Sequence, residues 1–453
     1  MSKIYFVAIV GSIGPISAGL FFGWASPSLP RLIADGDELP HLSVEEASWV
    51  ASTLIIGSFF GAFVGMFIMN FIGRKNSMIT TTVPTTIGWL MIAFATSPWE
   101  LYIARFICGV SFGIIYLITP VYLGEISPAK IRGILGMICV VSMKCGTLFA
   151  YVIGPFLSIR NFSFVCMTIP VLYVITFIRF MPESPYYLMR RNDRQKAVKA
   201  LVQLRGNENV SKEADIIEQV VKIDLANETG FKEILFVPGN RRAMLTVIGV
   251  SIIQQFSGAP VFLQYSETLF NQTHTNLEGK YLTIILGCVQ VISMCVCMIL
   301  IDYCGRRILL MISSLGMGCS TAMVGAYFYL LSIHANVDNL EWFPATGTIL
   351  FMILYSVGFS SLPFTLFGEL FPTNVKALAG LIFVSICNLN AFIAIKWYPT
   401  MSNSVGTHVV FWFFTILNLL GFVFIFAYVP ETKGKTLEQI QEELNVQKKQ
   451  VDS

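Results

Sequence analysis

Apolar segments recur along the chain and are separated by short polar connections. Each segment holds about 20 residues, the length that an α-helix needs to cross the roughly 30 Å hydrocarbon core of a bilayer. Polar residues do not occupy every second position, as they would in the strands of a membrane barrel. The pattern therefore predicts about twelve membrane-spanning helices, at residues 4–22, 49–69, 77–95, 101–123, 134–157, 162–180, 243–270, 281–301, 308–333, 345–367, 378–397 and 409–429.

Short motifs between these spans occur once in each half of the chain, in the same order. The pairs are Asn70-x-x-Gly73-Arg74-Lys75 with Asp302-x-x-Gly305-Arg306-Arg307, Glu125-x-x-Pro128-x-x-x-Arg132 with Glu369-x-x-Pro372-x-x-x-Lys376, and Pro182-Glu-Ser184 with Pro430-Glu-Thr432. The repeat predicts an all-α polytopic membrane protein with two six-helix bundles, at 1–181 and 243–429. A cytoplasmic linker with short helices at 182–242 joins them, and a cytoplasmic tail follows at 430–453. Two such bundles are suited to alternating access to a substrate site near the membrane midplane between them.

Composition agrees with a lipid environment and excludes an ordinary soluble domain. Of the 453 residues, 55% are hydrophobic and 13% are charged. Lys and Arg concentrate on one predicted face, which the positive-inside rule makes cytoplasmic, together with both termini. We expect a multi-pass protein of the plasma membrane with Asn161 and Asn271 in outer loops, where they are glycosylation acceptors. The formal charge of +3 is a signal of topology and indicates no nucleic-acid partner.

No sequence pattern indicates catalysis, a metal site or a cofactor. The ten cysteines lie within spans or at a helix end, where they act as small packing residues. The four histidines are scattered along the sequence. The sequence shows neither a pairing of a nucleophile with a base nor a glycine-rich loop of the kind that binds phosphate. We therefore expect a protein that is not an enzyme.

Charged residues at the cytoplasmic ends of the spans form a predicted gating network. Ionizable groups at that depth are costly unless they are paired, so basic residues are expected to engage the Glu at the end of a neighbouring span, with Lys376 or Arg307 as the partner of Glu369. Anchoring at the lipid headgroups is the alternative. The predicted network comprises Arg74, Lys75, Glu125, Arg132, Glu183, Asp302, Arg306, Arg307, Glu369, Lys376 and Glu431.

These motifs resemble the signatures of the sugar porter family of the major facilitator superfamily, which includes facilitative glucose transporters and insect facilitated trehalose transporters. The matching strings include Arg105-Phe-x-x-Gly109-x-x-x-Gly113, Pro120-Val-Tyr-Leu-Gly-Glu125, Pro182-Glu-Ser-Pro185, Gln254-Gln-Phe-Ser-Gly258, Glu369-Leu-Phe-Pro372 and Pro430-Glu-Thr-Lys-Gly434. The segment from Gly406-Thr-His408 to Pro430 looks most like the trehalose branch. The resemblance implies transport of a small neutral sugar, a hexose or a trehalose-like disaccharide.

The resemblance also implies a sugar site. Gln254 and Gln255 match the paired glutamines of the family's seventh span, and Gln290 falls where the eighth span carries a polar Asn. Interhelical hydrogen bonds of about 0.6 kcal/mol are the alternative role for such residues. The remaining candidates depart from the family, because Gln264 stands where the family carries Tyr, Phe364 where it carries Trp, and Asn388 near the position of a second family Trp. Val140 and Pro260 stand where the family carries Gln and Asn, so the site lacks these two polar side chains.

Three further residues bear on mechanism. Ala25 stands where the family's proton symporters carry Asp, which favours facilitated diffusion. Two lysines lie within spans, and an intramembrane ionizable group is a functional hypothesis by default. Lys144 is deep enough to face a central cavity, whereas Lys396 lies near the outer interface and can snorkel.

A sugar sensor that keeps the fold but transports little is the alternative function, because the sugar site is altered.

Overall fold

The computed structural model describes residues 2–34, 40–128, 132–207, 210–226, 231–273, 275–335, 337–435 and 439–440. Within these ranges every regular element is a helix. The chain forms two compact units, Met1–Glu228 and Thr229–Ser453. The predicted four-part division at 181, 242 and 429 is finer than this partition and stays a prediction.

The first unit contains eleven α-helices within its described residues, and a short 3-10 turn at Gly154–Phe156 follows the seventh. The helices are α1 (Ser2–Gly23), α2 (Ala25–Ile33), α3 (Val44–Phe71), α4 (Arg74–Thr80), α5 (Thr82–Phe94), α6 (Pro98–Ile126), α7 (Arg132–Ile153), α8 (Ile159–Phe180), α9 (Pro185–Arg190), α10 (Arg194–Arg205) and α11 (Ser211–Ala226).

The second unit contains nine α-helices within its described residues. They are α12 (Phe231–Phe236), α13 (Pro238–Phe256), α14 (Ala259–Asn271), α15 (Gly279–Cys304), α16 (Arg306–Ser332), α17 (Phe343–Val357), α18 (Leu362–Leu370), α19 (Thr373–Val405) and α20 (Thr407–Tyr428).

Within the described residues, twelve helical segments are long and apolar enough to cross a membrane, which confirms the predicted number of spans. Four of them consist of two consecutive helices each, namely α1–α2, α4–α5, α13–α14 and α17–α18. Local chemistry accounts for two of these breaks. Gly258 has φ +102° at the start of α14, a conformation that favours glycine, and proline stands in the first turn of both α14 and α18.

Close backbone contact joins α3 to α6 in the first unit. A Cβ atom added to Gly109 would lie 2.1 Å from the Leu54 carbonyl oxygen, and one added to Gly57 would lie 2.2 Å from that of Phe106. Small residues allow helices in lipid to approach this closely, where van der Waals packing drives their association. The family-like glycines of α6 therefore have a packing role.

A buried arginine ties three helices of the first unit together. Arg105 of α6 is fully buried, and its Nη1 donates to the Phe21 carbonyl of α1 at 2.6 Å. Its Nε donates to the Val50 carbonyl of α3 at 3.2 Å, and the guanidinium lies 5.0 Å from the Trp24 ring centre. Fixed N–H geometry and ring stacking suit Arg to such a site.

Helices α9–α11 pack on a small apolar core of their own and attach to the end of α6. Arg205 pairs with Glu213 at 2.6 Å, and its Nη1 donates to the Ile126 carbonyl at 2.9 Å. Asp193 accepts from the Lys196 backbone N–H, as an N-cap of α10. Hydrogen bonds from the Lys196 side chain and then its backbone N–H lower the pKa of the Asp193 carboxyl.

We expect Gly109→Ala to destabilise the first unit, because the added methyl group meets a backbone carbonyl that cannot move alone. Overpacking costs typically about 1 to 3 kcal/mol, and sometimes more. Gly124→Ala is the matched control in the same helix, because nothing lies within 4 Å of its added Cβ. Thermal unfolding of the detergent-purified variants measures the difference. Equal melting temperatures would contradict the close contact between α3 and α6.

Candidate functional site

Charged residues lie close together at the junction between α3 and α4 and near the end of α6. This N-unit charge cluster consists of Arg74, Glu125, Glu183 and Ser184. The Glu183 carboxylate accepts from the backbone N–H groups of Arg74 at 3.0 Å and of Lys75 at 3.1 Å. A carboxylate is favourable at a helix N-terminus because it meets unpaired N–H groups and the positive end of the dipole. Glu183 therefore fixes the start of α4 to the segment after α8.

An ion pair joins the same helix start to α6. The Arg74 Nε and Nη2 atoms donate to Oε1 of Glu125 at 3.2 and 2.9 Å. The Ser184 hydroxyl donates to the second oxygen, Oε2, so both oxygens of Glu125 are bonded. The two side chains are 7% and 16% exposed, and screening of a charged hydrogen bond is weak at that burial.

The second unit repeats this arrangement in its C-unit charge cluster, which consists of Arg306, Glu369, Glu431 and Thr432. Glu431 accepts from the Arg306 backbone N–H at 3.0 Å. The Arg306 Nε and Nη2 atoms donate to Oε1 of Glu369 at 3.2 and 2.9 Å. The sequence repeat therefore corresponds to a repeat of hydrogen bonds.

The two clusters differ in one hydrogen bond. Oε2 of Glu369 and the hydroxyl of Thr432 are both buried and have no hydrogen-bond partner within the described ranges. Their counterparts in the N-unit cluster, Glu125 and Ser184, bond to each other. The C-unit cluster is thus one hydrogen bond short of its counterpart.

The other basic residues of the predicted network bind backbone carbonyls. Lys75 donates to Ile178 at 3.2 Å, Lys376 donates to Gly368 at 2.6 Å, and Arg307 donates to Phe426. Arg306 is thus the ion-pair partner of Glu369, and the expectation of Lys376 or Arg307 was wrong. The side chains of Arg132 and Asp302 lie outside the described residues.

Gln254 and Gln255 contact each other in the second unit. The buried Gln254 donates from Nε2 to the Phe359 carbonyl, in the break between α17 and α18. Its Oε1 accepts from Nε2 of Gln255, which is half-buried, at 3.1 Å. Gln254 therefore supports the backbone at a helix break, a task that its sequence position did not reveal.

The other predicted sugar ligands differ in how far their polar atoms are already bonded. Gln264 is 0% exposed, and neither its Nε2 nor its Oε1 has a hydrogen-bond partner within the described ranges. Gln290 is buried with Nε2 3.5 Å from the Met352 sulfur, which is a weak acceptor. Asn388 donates to the Val384 carbonyl of its own helix at 3.0 Å. Gln264 thus keeps the largest unused capacity.

The remaining predicted residues are placed as follows. Phe364 is half-buried, with its ring centre 5.1 Å from that of Phe383 in an edge-on contact. Asn161 lies exposed in the first turn of α8, and Asn271 lies exposed at the end of α14. Sequence reasoning missed the role of the Ser184 hydroxyl, although the Pro182-Glu-Ser-Pro185 motif contains it.

Two helical units with twelve candidate spans define a multi-pass membrane protein of the major facilitator fold. The chain is similar to a solved xylose transporter, XylE from E. coli, in a partially occluded inward open conformation. The TM-score is 0.82 at 22% sequence identity, over 96% of this chain and 100% of that chain. At this identity the similarity shows the fold alone.

A model of the family described as "Sugar (and other) transporter" matches residues 6–444, and the chain belongs to this family. It is 31% identical over 439 residues to the facilitated trehalose transporter Tret1 of Bombyx mori, covering 96% of this chain and 86% of that protein. It is 29% identical over 444 residues to Tret1 of Polypedilum vanderplanki, covering 96% and 87%. The chain therefore belongs to a family of transporters and not to a family of enzymes.

We expect Ser184→Ala to destabilise the first unit, because it leaves Oε2 of Glu125 without its donor. It also removes the N-cap of α9, where the Ser184 hydroxyl accepts from the Tyr187 backbone N–H. The loss should be about 1 to 3 kcal/mol. The matched variant Thr432→Val removes a hydroxyl that has no hydrogen-bond partner among the described residues and should be nearly neutral. Thermal unfolding of both purified variants tests this difference, and a larger loss in Thr432→Val would refute it.

Proposed function

We propose that the protein carries a small neutral sugar across the membrane by facilitated diffusion, with alternating access as the mechanism. The observation that carries the proposal is Gln264, a fully buried amide in a span, neither of whose polar atoms bonds to a residue that the structure describes. A buried polar group without a partner is costly, and a sugar hydroxyl supplies both a donor and an acceptor. An amide offers dipoles and no charge, which suits a neutral ligand.

The names of similar proteins support a particular class of sugar substrate. Curated proteins similar to this chain over 96% of its length are named facilitated trehalose transporters. We infer a hexose or a trehalose-like disaccharide as substrate, bound by Gln264, Gln290 and the free groups of Gln255, with Phe364 and Asn388 as further contacts. Gln254 belongs to the same site, but its donor is already used by Phe359.

Transport without proton coupling is part of the proposal. Ala25 begins α2 and carries no group that could take up a proton. The neighbouring Arg105 is bonded to the Phe21 and Val50 carbonyls and stacks on Trp24, which stabilises its charge in place. The proton:xylose symporter XylE shares the fold, and similarity of fold leaves the coupling of this chain open to test.

We place the protein in the plasma membrane with both termini and both charge clusters on the cytoplasmic side. In this orientation Asn161 and Asn271 face outward and accept glycans. Residues 1–181 and 243–429 act as the two transport bundles, residues 182–242 as the linker and residues 430–453 as the tail.

A sugar sensor with little transport is the second candidate. The side-chain amides of two predicted sugar ligands already donate hydrogen bonds to backbone carbonyls. Gln254 donates to Phe359, and Asn388 donates to Val384. A site with fewer free donors can still detect a sugar while moving it slowly. Transport rates separate the two functions.

Purified protein in liposomes should take up radiolabelled trehalose, glucose or fructose down its gradient, whereas empty liposomes should not. Uptake should be unchanged when a proton ionophore collapses an imposed pH gradient, because no proton accompanies the sugar. Uptake that requires the pH gradient would refute facilitated diffusion. Sugar-induced thermal stabilisation without uptake would favour the sensor.

In the same assay Gln264→Leu should raise KM about 5- to 150-fold, the equivalent of 1 to 3 kcal/mol of lost hydrogen bonding. The fold should tolerate the change, because Leu has a similar volume and removes an unbonded amide. Gln272→Leu, at the exposed end of α14, is the matched control and should keep the KM of the wild type. An unchanged KM in Gln264→Leu would exclude Gln264 from the site.

The charge clusters are proposed as gates, and Glu369→Gln tests this role. Removing one partner of a half-buried pair should favour inward-facing forms and slow transport by up to about 10-fold. Labelling of an introduced cysteine from the cytoplasmic side should increase together with the loss of rate. Arg306→Gln in the same chain should restore part of the rate, because no uncompensated charge is left. Additive losses with unchanged labelling would indicate headgroup anchors.

A further inference from the structure

A lysine lies deep within a span of the first unit. Lys144 of α7 is 6% exposed, within the candidate span Leu135–Phe156. No hydrogen bond or ion pair joins its side chain to a residue of the described ranges. Placing a lysine at the centre of a membrane helix costs about 2.5 to 3.5 kcal/mol on insertion scales. Such a residue is expected to face a partner or a cavity.

The geometry of α7 indicates which face Lys144 occupies. α7 meets α1 through Met143, because a Cβ added to Gly19 would lie 2.0 Å from the Met143 carbonyl oxygen. The next residue after Lys144, Cys145, is exposed. Successive helical residues differ by about 100° in direction, so Lys144 points neither at α1 nor along the exposed side. Its neighbour one turn earlier on the same face, Val140, is half-buried and apolar.

We propose that Lys144 is a substrate-binding residue that donates hydrogen bonds to sugar hydroxyl oxygens. The inference rests on the proposed function and names a ligand group in the first unit. An ammonium group carries three donors, and each hydroxyl oxygen offers two lone pairs, so one lysine can serve neighbouring hydroxyls of one ring. Val140 and Val141 beside it supply no polar contact, so the sugar replaces the missing hydrogen-bond partners.

The chemistry of this face favours a hydroxyl over an anionic substituent. Carboxylates and phosphates are bound most effectively by the bidentate geometry of Arg or by several cations. Within α7 the only other basic residue is Arg132, three turns away at the start of the helix. A lone ammonium beside two valines fits an uncharged polyol.

The test uses the full-length protein in liposomes and the sugar that it transports best. Lys144→Met removes the donors and keeps the length of the side chain, and Cys145→Met is the matched control on the neighbouring, exposed position. Lys144→Met should raise KM about 10- to 100-fold, with little change in kcat. Lys144→Gln and Lys144→Arg retain donors and should lie between Lys144→Met and the wild type.

A panel of monodeoxy analogues of that sugar, used as competitors, separates ligand contact from a structural role. Removing the hydroxyl that Lys144 contacts should weaken competition in the wild type and have little further effect in Lys144→Met. The other deoxy positions should lose affinity equally in both proteins. A purely structural lysine would lower thermal stability and affect all analogues alike, which would overturn the proposal.

Two other results would also decide the matter. If the transported sugar enters with unchanged KM in Lys144→Met, Lys144 is not a ligand, while the proposed transport function stands. If glucuronate competes better than glucose in the wild type and loses that advantage in Lys144→Met, the partner is an anion and the hydroxyl assignment fails. Failure of the wild type to take up any neutral sugar would refute the proposed function itself.

Discussion

Hydrocarbon offers no hydrogen bonds, so each backbone N–H and carbonyl within the membrane must be satisfied by the protein itself. Helices meet this demand except where they break or end, and there polar side chains complete the bonding. Gln254 serves the Phe359 carbonyl between α17 and α18, Arg306 serves the Ile301 carbonyl at the end of a span, and Arg105 serves Phe21 of α1. These three polar side chains within or at the ends of the spans are explained by this constraint. A polar group that serves no backbone is therefore a stronger candidate for ligand binding than its residue type alone would suggest.

The charge clusters extend the same constraint to the ends of helices. In each unit a glutamate accepts hydrogen bonds from the first backbone N–H groups of a helix, which begins at Arg74 or at Arg306. The side chain of the same arginine pairs with a second glutamate near the end of another span. Glycine precedes the arginine in both cases, with φ +95° at Gly73 and +86° at Gly305. Three segments are thus held by one compact set of charges. Exposed surface ion pairs contribute little to stability, whereas this set is partly buried and bonded to backbone N–H groups.

The sequence was sufficient for the spans, because segment length and hydropathy alone decide whether a helix can cross a bilayer. The repeated motifs also located both charge clusters, since each motif stands at the end of a span. Pairing within the clusters was harder to predict. Arg306 and Arg307 are adjacent in sequence, and only the turn at Gly305 decides which side chain reaches Glu369. The task of Gln254 was likewise hidden, because it depends on a break between helices more than 100 residues away.

Duplication also bears on where specificity can reside. Contacts that occur in both units, such as Arg74 with Glu125 and Arg306 with Glu369, are set by the shared architecture and cannot distinguish one sugar from another. Under the proposed function, selectivity is expected to come from residues outside these duplicated contacts. The proposed ligands Gln264 and Lys144 are both buried polar groups without a bond to the described part of the chain. An amide both donates and accepts, whereas an ammonium only donates, so the two proposed ligand groups differ in the atoms of a hydroxyl-rich ligand that they can bind.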